Sequence, residues 1–361
     1  MRARPRPRAG RAVLGATALL ASGALAAGCA ATSASSSPAG AAPRPSTAPA
    51  TKPPATKPPA TKPAGSTRAG GAVPLGVWEP SSATTWSGIA AFGQQAGQPV
   101  RYALTFLKQG DPFPQRLGQE AAANHAELIV QLEPSAKMAR VVAGGDDAYL
   151  DELAAQVHAY GHPVIISWAA EANGNWYSWG FTKTPPAEYR AAWAHVMARF
   201  RAAGDGNVTW MATINRTYEG AGPTSDYIIP GVDMYGVDAY YSYPGDTFAR
   251  VFGTTLAQIR SALKKAEPTE AGPTKAGTDK PILVSETGIG PVAGQAKSIP
   301  GLVRGVVSNG LAGVVYFNQS QNQGVYHQNW TLATAGMSAL RASLQAARSP
   351  ASLEKRRRGH R

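Results

Sequence analysis

A chain of 361 residues has room for one large domain with tails, and its formal charge of +13 suggests an anionic partner until that charge is located. Residues 1–68 carry ten Lys and Arg and no acid, and residues 349–361 carry five against Glu354. The remainder is near neutral, with 20 basic and 21 acidic residues, so nucleic-acid binding by a basic face loses its main support. The single cysteine, Cys29, excludes an internal disulfide framework and a Cys-based zinc cage.

The chain begins with Arg2, Arg4, Arg6, Arg8 and Arg11, then an apolar segment from about Ala12 to Ala27 that is too short to span a bilayer comfortably. Its end, Leu25-Ala-Ala-Gly-Cys29, resembles a bacterial lipoprotein signal, in which the cysteine becomes the lipidated first residue. Ordinary cleavage after Ala24-Leu25-Ala26 is the alternative. Residues 30–71 are mostly Ala, Ser, Thr, Pro and Lys, with TKPPA given twice and TKPA once. They have almost nothing to bury, so an extended, disordered tether is expected. The expected organisation is a signal segment over 1–29, a linker over 30–71, one folded domain over 72–348 and a basic tail over 349–361. An exported, cell-surface protein follows, membrane-attached only through a lipid on Cys29.

From Val73 strands and helices alternate. Strands are predicted near 74–78, 100–106, 127–132, 163–169, 207–213, 232–240, 281–286 and 312–317. Leu150, Leu153, Val157 and Tyr160 step by 3, 4 and 3 behind Asp146 and Asp147, which suit a helix start. Tyr189, Trp193, Val196 and Phe200 form a second such stripe between Pro185-Pro186 and Gly204. Further helices are predicted near 256–267, 295–308 and 334–348, but no convincing one lies between the fifth and sixth strands. Eight strands with interleaved helices predict an α/β fold, a (β/α)8 TIM barrel, with a doubly wound sheet as the alternative.

In such a barrel chemistry sits at the C-terminal strand tips. The tips offer Glu133, Glu171, Asn215, Asp238 with Tyr240, Glu286 and Asn318. Glu171 and Glu286, on the fourth and seventh tips, form a pair of the kind that retaining glycoside hydrolysis uses, one carboxyl protonated and one ionised. Trp168, Trp176 and Trp179 are placed to desolvate Glu171, which is assigned as the acid/base. Glu286 is assigned as the nucleophile, with the Tyr240 hydroxyl as the donor that orients it and holds it charged. Neither VIISWAAE nor PILVSE brings a cation that would make its glutamate a salt-bridge partner. Trp330, beyond the last strand, is a second place for a sugar ring to stack, with core packing nearly as good an explanation. His125, His162, His195 and His327 lack ligand spacing, so neither a metal nor any other cofactor is expected.

The run EANGNWYSWG, followed by AEYRAAWAHVMARFRAAGDGNVTWMATIN, YIIPGVDMYGVDAYY and PILVSETG, is similar to glycoside hydrolase family 26, which includes endo-β-1,4-mannanases. The resemblance covers roughly 75–345 and implies a (β/α)8 barrel with a retaining mechanism. It implies the same roles for Glu171 and Glu286, a sugar-stacking role for Trp176, and site positions for Asp233, Asp238 and Tyr240. Trp179 joins the expected sugar-binding set beside them. The family usually places His immediately before the acid/base and an Arg three residues further back; here these positions hold Ala170 and Ser167. The expectation is a monomeric endo-β-glycanase acting on mannan or glucomannan first, then mixed-linkage glucan or xylan. A catalytically silent glycan-binding lipoprotein is the alternative.

Overall fold

The computed structural model describes residues 72–83, 85–265, 280–290, 292–320 and 329–348. The predicted signal segment with Cys29, the linker and the basic tail lie outside these residues. Eight parallel strands close a barrel in sequence order: β1 (Leu75–Trp78), β2 (Tyr102–Lys108), β3 (Glu127–Glu133), β4 (Val164–Trp168), β5 (Val208–Asn215), β6 (Met234–Asp238), β7 (Ile282–Thr287) and β8 (Val314–Phe317). The ring is completed by pairing of β8 with β1, Leu75 opposite Val314 through Trp78 opposite Phe317.

Helices α1 (Ser87–Ala96), α2 (Gln115–Ala123), α3 (Met138–Val142), α4 (Asp147–Tyr160), α5 (Pro186–Ala203), α6 (Thr254–Lys265), α7 (Gln295–Ser308) and α8 (Thr334–Arg348) cover the sheet. The β5–β6 connection carries only a 3-10 turn, Thr224–Tyr227, in keeping with the absence of a helical pattern there. Helix α5 starts with Pro186 in its first turn, where a missing N–H costs nothing, and ends on left-handed Gly204. Asp146 does not cap α4: its carboxylate accepts from Arg140 Nε at 3.0 Å instead.

The β-strand period of two sorts each strand into two faces. Outward side chains join the large core under the helices. Trp168 is one of them, packed edge-on against Trp193 of α5 with ring centroids 5.7 Å apart. This corrects the expectation that Trp168 desolvates Glu171, because an even number of residues from Ile166 places it on the outer face. Inward side chains fill the barrel, and their character changes along its axis. Ile129, Ile165, Met211, Met234 and Leu283 form the apolar lower part. Two residues further along their strands stand Gln131, Ser167, Thr213, Gly236 and Ser285. Gly236 is forced by crowding in this polar layer, since a Cβ there would lie 2.4 Å from Ser285 Oγ and 2.6 Å from Thr213 Oγ1. The barrel therefore turns polar toward the C-terminal ends of its strands, where function resides in this architecture.

Candidate active site

Glu171 sits three residues beyond β4, in a segment with unusual backbone. Ala169 and Glu171 both have positive φ, 47° and 59°, values that side-chain-bearing residues adopt only when the surroundings hold them there. Alternating hydrogen bonds supply that hold: Ala169 N–H donates to Leu132 O and Glu171 N–H to Thr213 O, each at 2.9 Å. Tyr189 of α5 donates to Ala169 O at 2.9 Å, and Trp179 Nε1 donates to Ala170 O at 2.8 Å. The result is a rigid pedestal that turns the Glu171 side chain inward.

Two donors hold the Glu171 carboxyl. Asn215 Nδ2, from the last residue of β5, donates to Oε1, and Trp176 Nε1 donates to Oε2 at 3.1 Å. Asn215 is itself clamped: Asn173 Nδ2 donates to Asn215 O and Asn215 N–H donates to Asn173 Oδ1, both at 2.9 Å. The carboxyl is 6% exposed. Burial and the nearby negative charge of Glu286 push its pKa up to about 8, against the lowering effect of Asn215 and Trp176. Glu171 therefore holds its proton at neutral pH, as a general acid must.

Glu286 lies within β7, 4% exposed, and is held from other strands. Tyr240, two residues past β6, donates its hydroxyl to Oε2 at 2.6 Å, and Gln131 of β3 donates Nε2 to Oε1 at 2.8 Å. Burial raises Glu286 to about 7, while the two donors favour its charged form. A charge on Glu286 in turn favours the protonated form of Glu171. Beneath it Asp238 is fully buried, accepting from Ser285 Oγ at 2.5 Å and from Gln131 Nε2 at 3.5 Å. Burial and the Glu286 charge push Asp238 well above the usual carboxylate range.

The expected sugar-binding residues divide into several groups. Trp176 is half-buried beside the acid, with its ring over Gly174 and Tyr218 alongside, centroids 6.2 Å apart. Tyr240 reaches Glu286, whereas Asp238 serves the hydrogen-bond network below it. Asp233 is corrected: it precedes β6, at the opposite end of that strand from Asp238, and its carboxylate accepts from Trp210 N–H at 2.8 Å. Trp179 is also corrected, being 4% exposed and stacked on Tyr177 at 4.2 Å. Trp330, 1% exposed, packs on Tyr240 at 4.6 Å and so braces the donor to Glu286. Gln131, Asn173, Ser285 and Tyr218 were not anticipated, and Asn215 was noticed at a strand tip without a role. Among the described residues no cluster of three His, Cys, Asp or Glu could hold a metal ion.

A (β/α)8 barrel whose C-terminal rim carries two buried glutamates with raised pKa values, each held by its own donors, has the make-up of a glycoside hydrolase. Residues 119–290, from α2 through β7 and including both glutamates, match the model of glycosyl hydrolase family 26. This segment of the chain is similar to that family. Endoglucanase H of Acetivibrio thermocellus is 26% identical over 232 residues, covering 59% of this chain and 25% of that protein. The chain thus spans about a quarter of the length of this curated relative. The catalytic domain of an endo-β-1,4-mannanase from Bacillus sp. JAMB-750 superposes with a TM-score of 0.55 at 13% identity, covering 78% of this chain and 86% of that one. A GH26 β-mannanase from Bacteroides ovatus gives 0.51 at 16% identity, covering 77% and 89%. At these identities the two structures speak for the fold.

Proposed function

We propose that this protein is an endo-acting, retaining β-glycanase that hydrolyses a β-1,4-linked polysaccharide, with mannan or glucomannan as the leading substrate. The observation that carries the reading is the geometry of the two buried glutamates at one rim, each held by its own pair of donors: Asn215 and Trp176 on Glu171, Tyr240 and Gln131 on Glu286. Ionised Glu286 attacks the anomeric carbon while Glu171 gives its proton to the departing glycosidic oxygen. A covalent glycosyl-enzyme ester forms on Glu286. Glu171, now a carboxylate, takes a proton from water, and that water cleaves the ester with a second inversion, so the anomeric configuration is kept. Trp176 offers its face to the C–H surface of a pyranose beside the scissile bond.

A second reading, a β-1,4-glucan in place of mannan, is favoured by Ala170, which leaves no imidazole beside the acid, and by the name of the A. thermocellus relative. Export with lipid attachment at Cys29 belongs to the same proposal and rests on the Arg-rich, apolar start of the chain. The test is reducing-sugar release by the full chain from mannan, glucomannan, mixed-linkage glucan and xylan. Glu286→Ala should lose on the order of 10⁴-fold or more of the wild-type rate, and azide should restore turnover of an activated aryl glycoside. Release that persists in Glu286→Ala, or binding without release by the wild type, rejects the reading.

A further inference from the structure

Glu133 ends β3, and neither the double-displacement mechanism nor the hydrogen-bond network around it uses this residue. On β3 the inward positions are Ile129, packed in the barrel interior, Gln131, bonded to Glu286, and then Glu133. Strand alternation therefore aims Glu133 into the barrel mouth, one layer above the group that holds the nucleophile. It is half-buried, and its carboxyl makes no hydrogen bond or ion pair with the described residues. Burial raises its pKa, and the cation acting on it is Lys108, its exposed register partner on β2.

Tyr177 supplies the opposite kind of group. Its half-buried ring stacks on Trp179 at 4.2 Å and 8°, and Trp179 is bonded to the carbonyl just before Glu171. The ring is thus fixed to the segment that carries the acid, yet its hydroxyl makes no hydrogen bond with the described residues. Burial and the charges of Glu171 and Glu133 push this phenol up, which keeps it a donor. An unspent acceptor and an unspent donor at one rim suit a neutral polyol, because adjacent hydroxyls donate to one carboxylate and accept from a phenol. A bound cation suits them less well, since positive charge here would draw from Glu171 the proton that the leaving oxygen needs.

We propose that Glu133 is a sugar-gripping residue of this site, accepting hydrogen bonds from hydroxyls of the ring held beside Glu171, with the Tyr177 hydroxyl as the paired donor. The inference rests on the glycanase reading above. The experiment is calorimetric titration of full-length Glu286→Ala with β-1,4-linked hexasaccharides of mannose and of glucose. Adding Glu133→Ala should weaken binding of the better ligand about 10- to 100-fold, Glu133→Gln should fall between, and Tyr177→Phe should cost about 3- to 10-fold. In the enzyme that retains Glu286, Glu133→Gln should raise KM more than it lowers kcat. An unchanged Kd in Glu133→Ala, with the parent's melting temperature, overturns the proposal. So does a shift of the pH–rate profile alone, which would mean that Glu133 acts only through its charge. If the wild type cleaves the expected substrates and the Glu133 variants bind as tightly as the Glu286→Ala parent, this inference fails by itself. If neither hexasaccharide binds and the wild type releases nothing, both readings fail together.

Discussion

The tips of β4 and β7 each deliver a glutamate to the same rim, and they do so by different physical means. Glu286 lies within β7, where the register shifts against both β6 and β8, and its donors Tyr240 and Gln131 come from just past the adjoining β6 and from β3. Glu171 stands beyond its strand on left-handed backbone, and its donors Asn215 and Trp176 come from the rim and the adjoining loop. Both are almost wholly buried, so burial alone would raise both. What separates them is the partner set: a short phenolic hydrogen bond favours the anion on β7, while the anion's own charge favours the acid on β4. In the proposed mechanism, the same side chain serves as nucleophile in one place and acid in the other because of what faces it.

Removing Glu171 tests this asymmetry hardest. Glu171→Ala should lower polysaccharide hydrolysis by roughly 10³-fold, since leaving-group protonation contributes about 10²–10⁴. Cleavage of an aryl glycoside with a good leaving group should suffer far less in its first step. The alkaline limb of the pH–rate profile, set in the wild type near the Glu171 value of about 8, should disappear. Equal loss on both substrates would sink the acid assignment.

A smaller effect is expected at the donor to Glu286. Tyr240→Phe deletes a 2.6 Å bond that favours the carboxylate, so the acid limb should move above its wild-type position near 7. At its optimum kcat should fall about 10- to 100-fold, the range for removing one preorganised hydrogen bond to a charged group. A profile that shifts downward instead would reverse the role given to the phenol.

The smallest effect is on stability, and its sign follows from linkage. Glu171 has a folded pKa raised above its unfolded value of about 4.5, so the native state binds its proton more tightly. The stability this contributes is fully present below about pH 4.5 and is lost as pH rises through about 8. Glu171→Gln cannot ionise and escapes that loss. Its melting temperature should exceed the wild-type value at pH 9 and match it near pH 4. A larger gain at acid pH than at alkaline pH would contradict the buried, protonated state of this carboxyl.

Much of this architecture was legible in the sequence because parallel-barrel strands are short apolar runs between helical stripes. VIISW, PILVSE and AGVVYF declare themselves in this way, and even the β5–β6 stretch without a helical pattern has only a 3-10 turn. The glutamates were found because a carboxylate ending such a run has no packing reason to be there. Depth and direction were harder to read. Asp233 and Asp238 share a motif, but only strand boundaries reveal that one precedes β6 and the other ends it. Trp168 differs from Ser167 by a single step, enough to send it to the helices instead of the interior. Gln131 left a signal that could have been used: a lone amide in ELIVQLE, two residues from Glu133 and so on the same inward face. The Asn173–Asn215 clamp left none, because it joins a turn residue to a strand end 42 positions away.

The bond from the Trp176 indole to Glu171 gives the molecule an optical gauge of its own chemistry. Emission from an indole responds to the charge of the group bound to its N–H, so the proton on Glu171 should modulate the fluorescence of this ring. The difference spectrum between the wild type and Trp176→Phe would then follow the acid through its titration in real time, without substrate, and would show whether a docking sugar leaves that proton in place until the bond breaks.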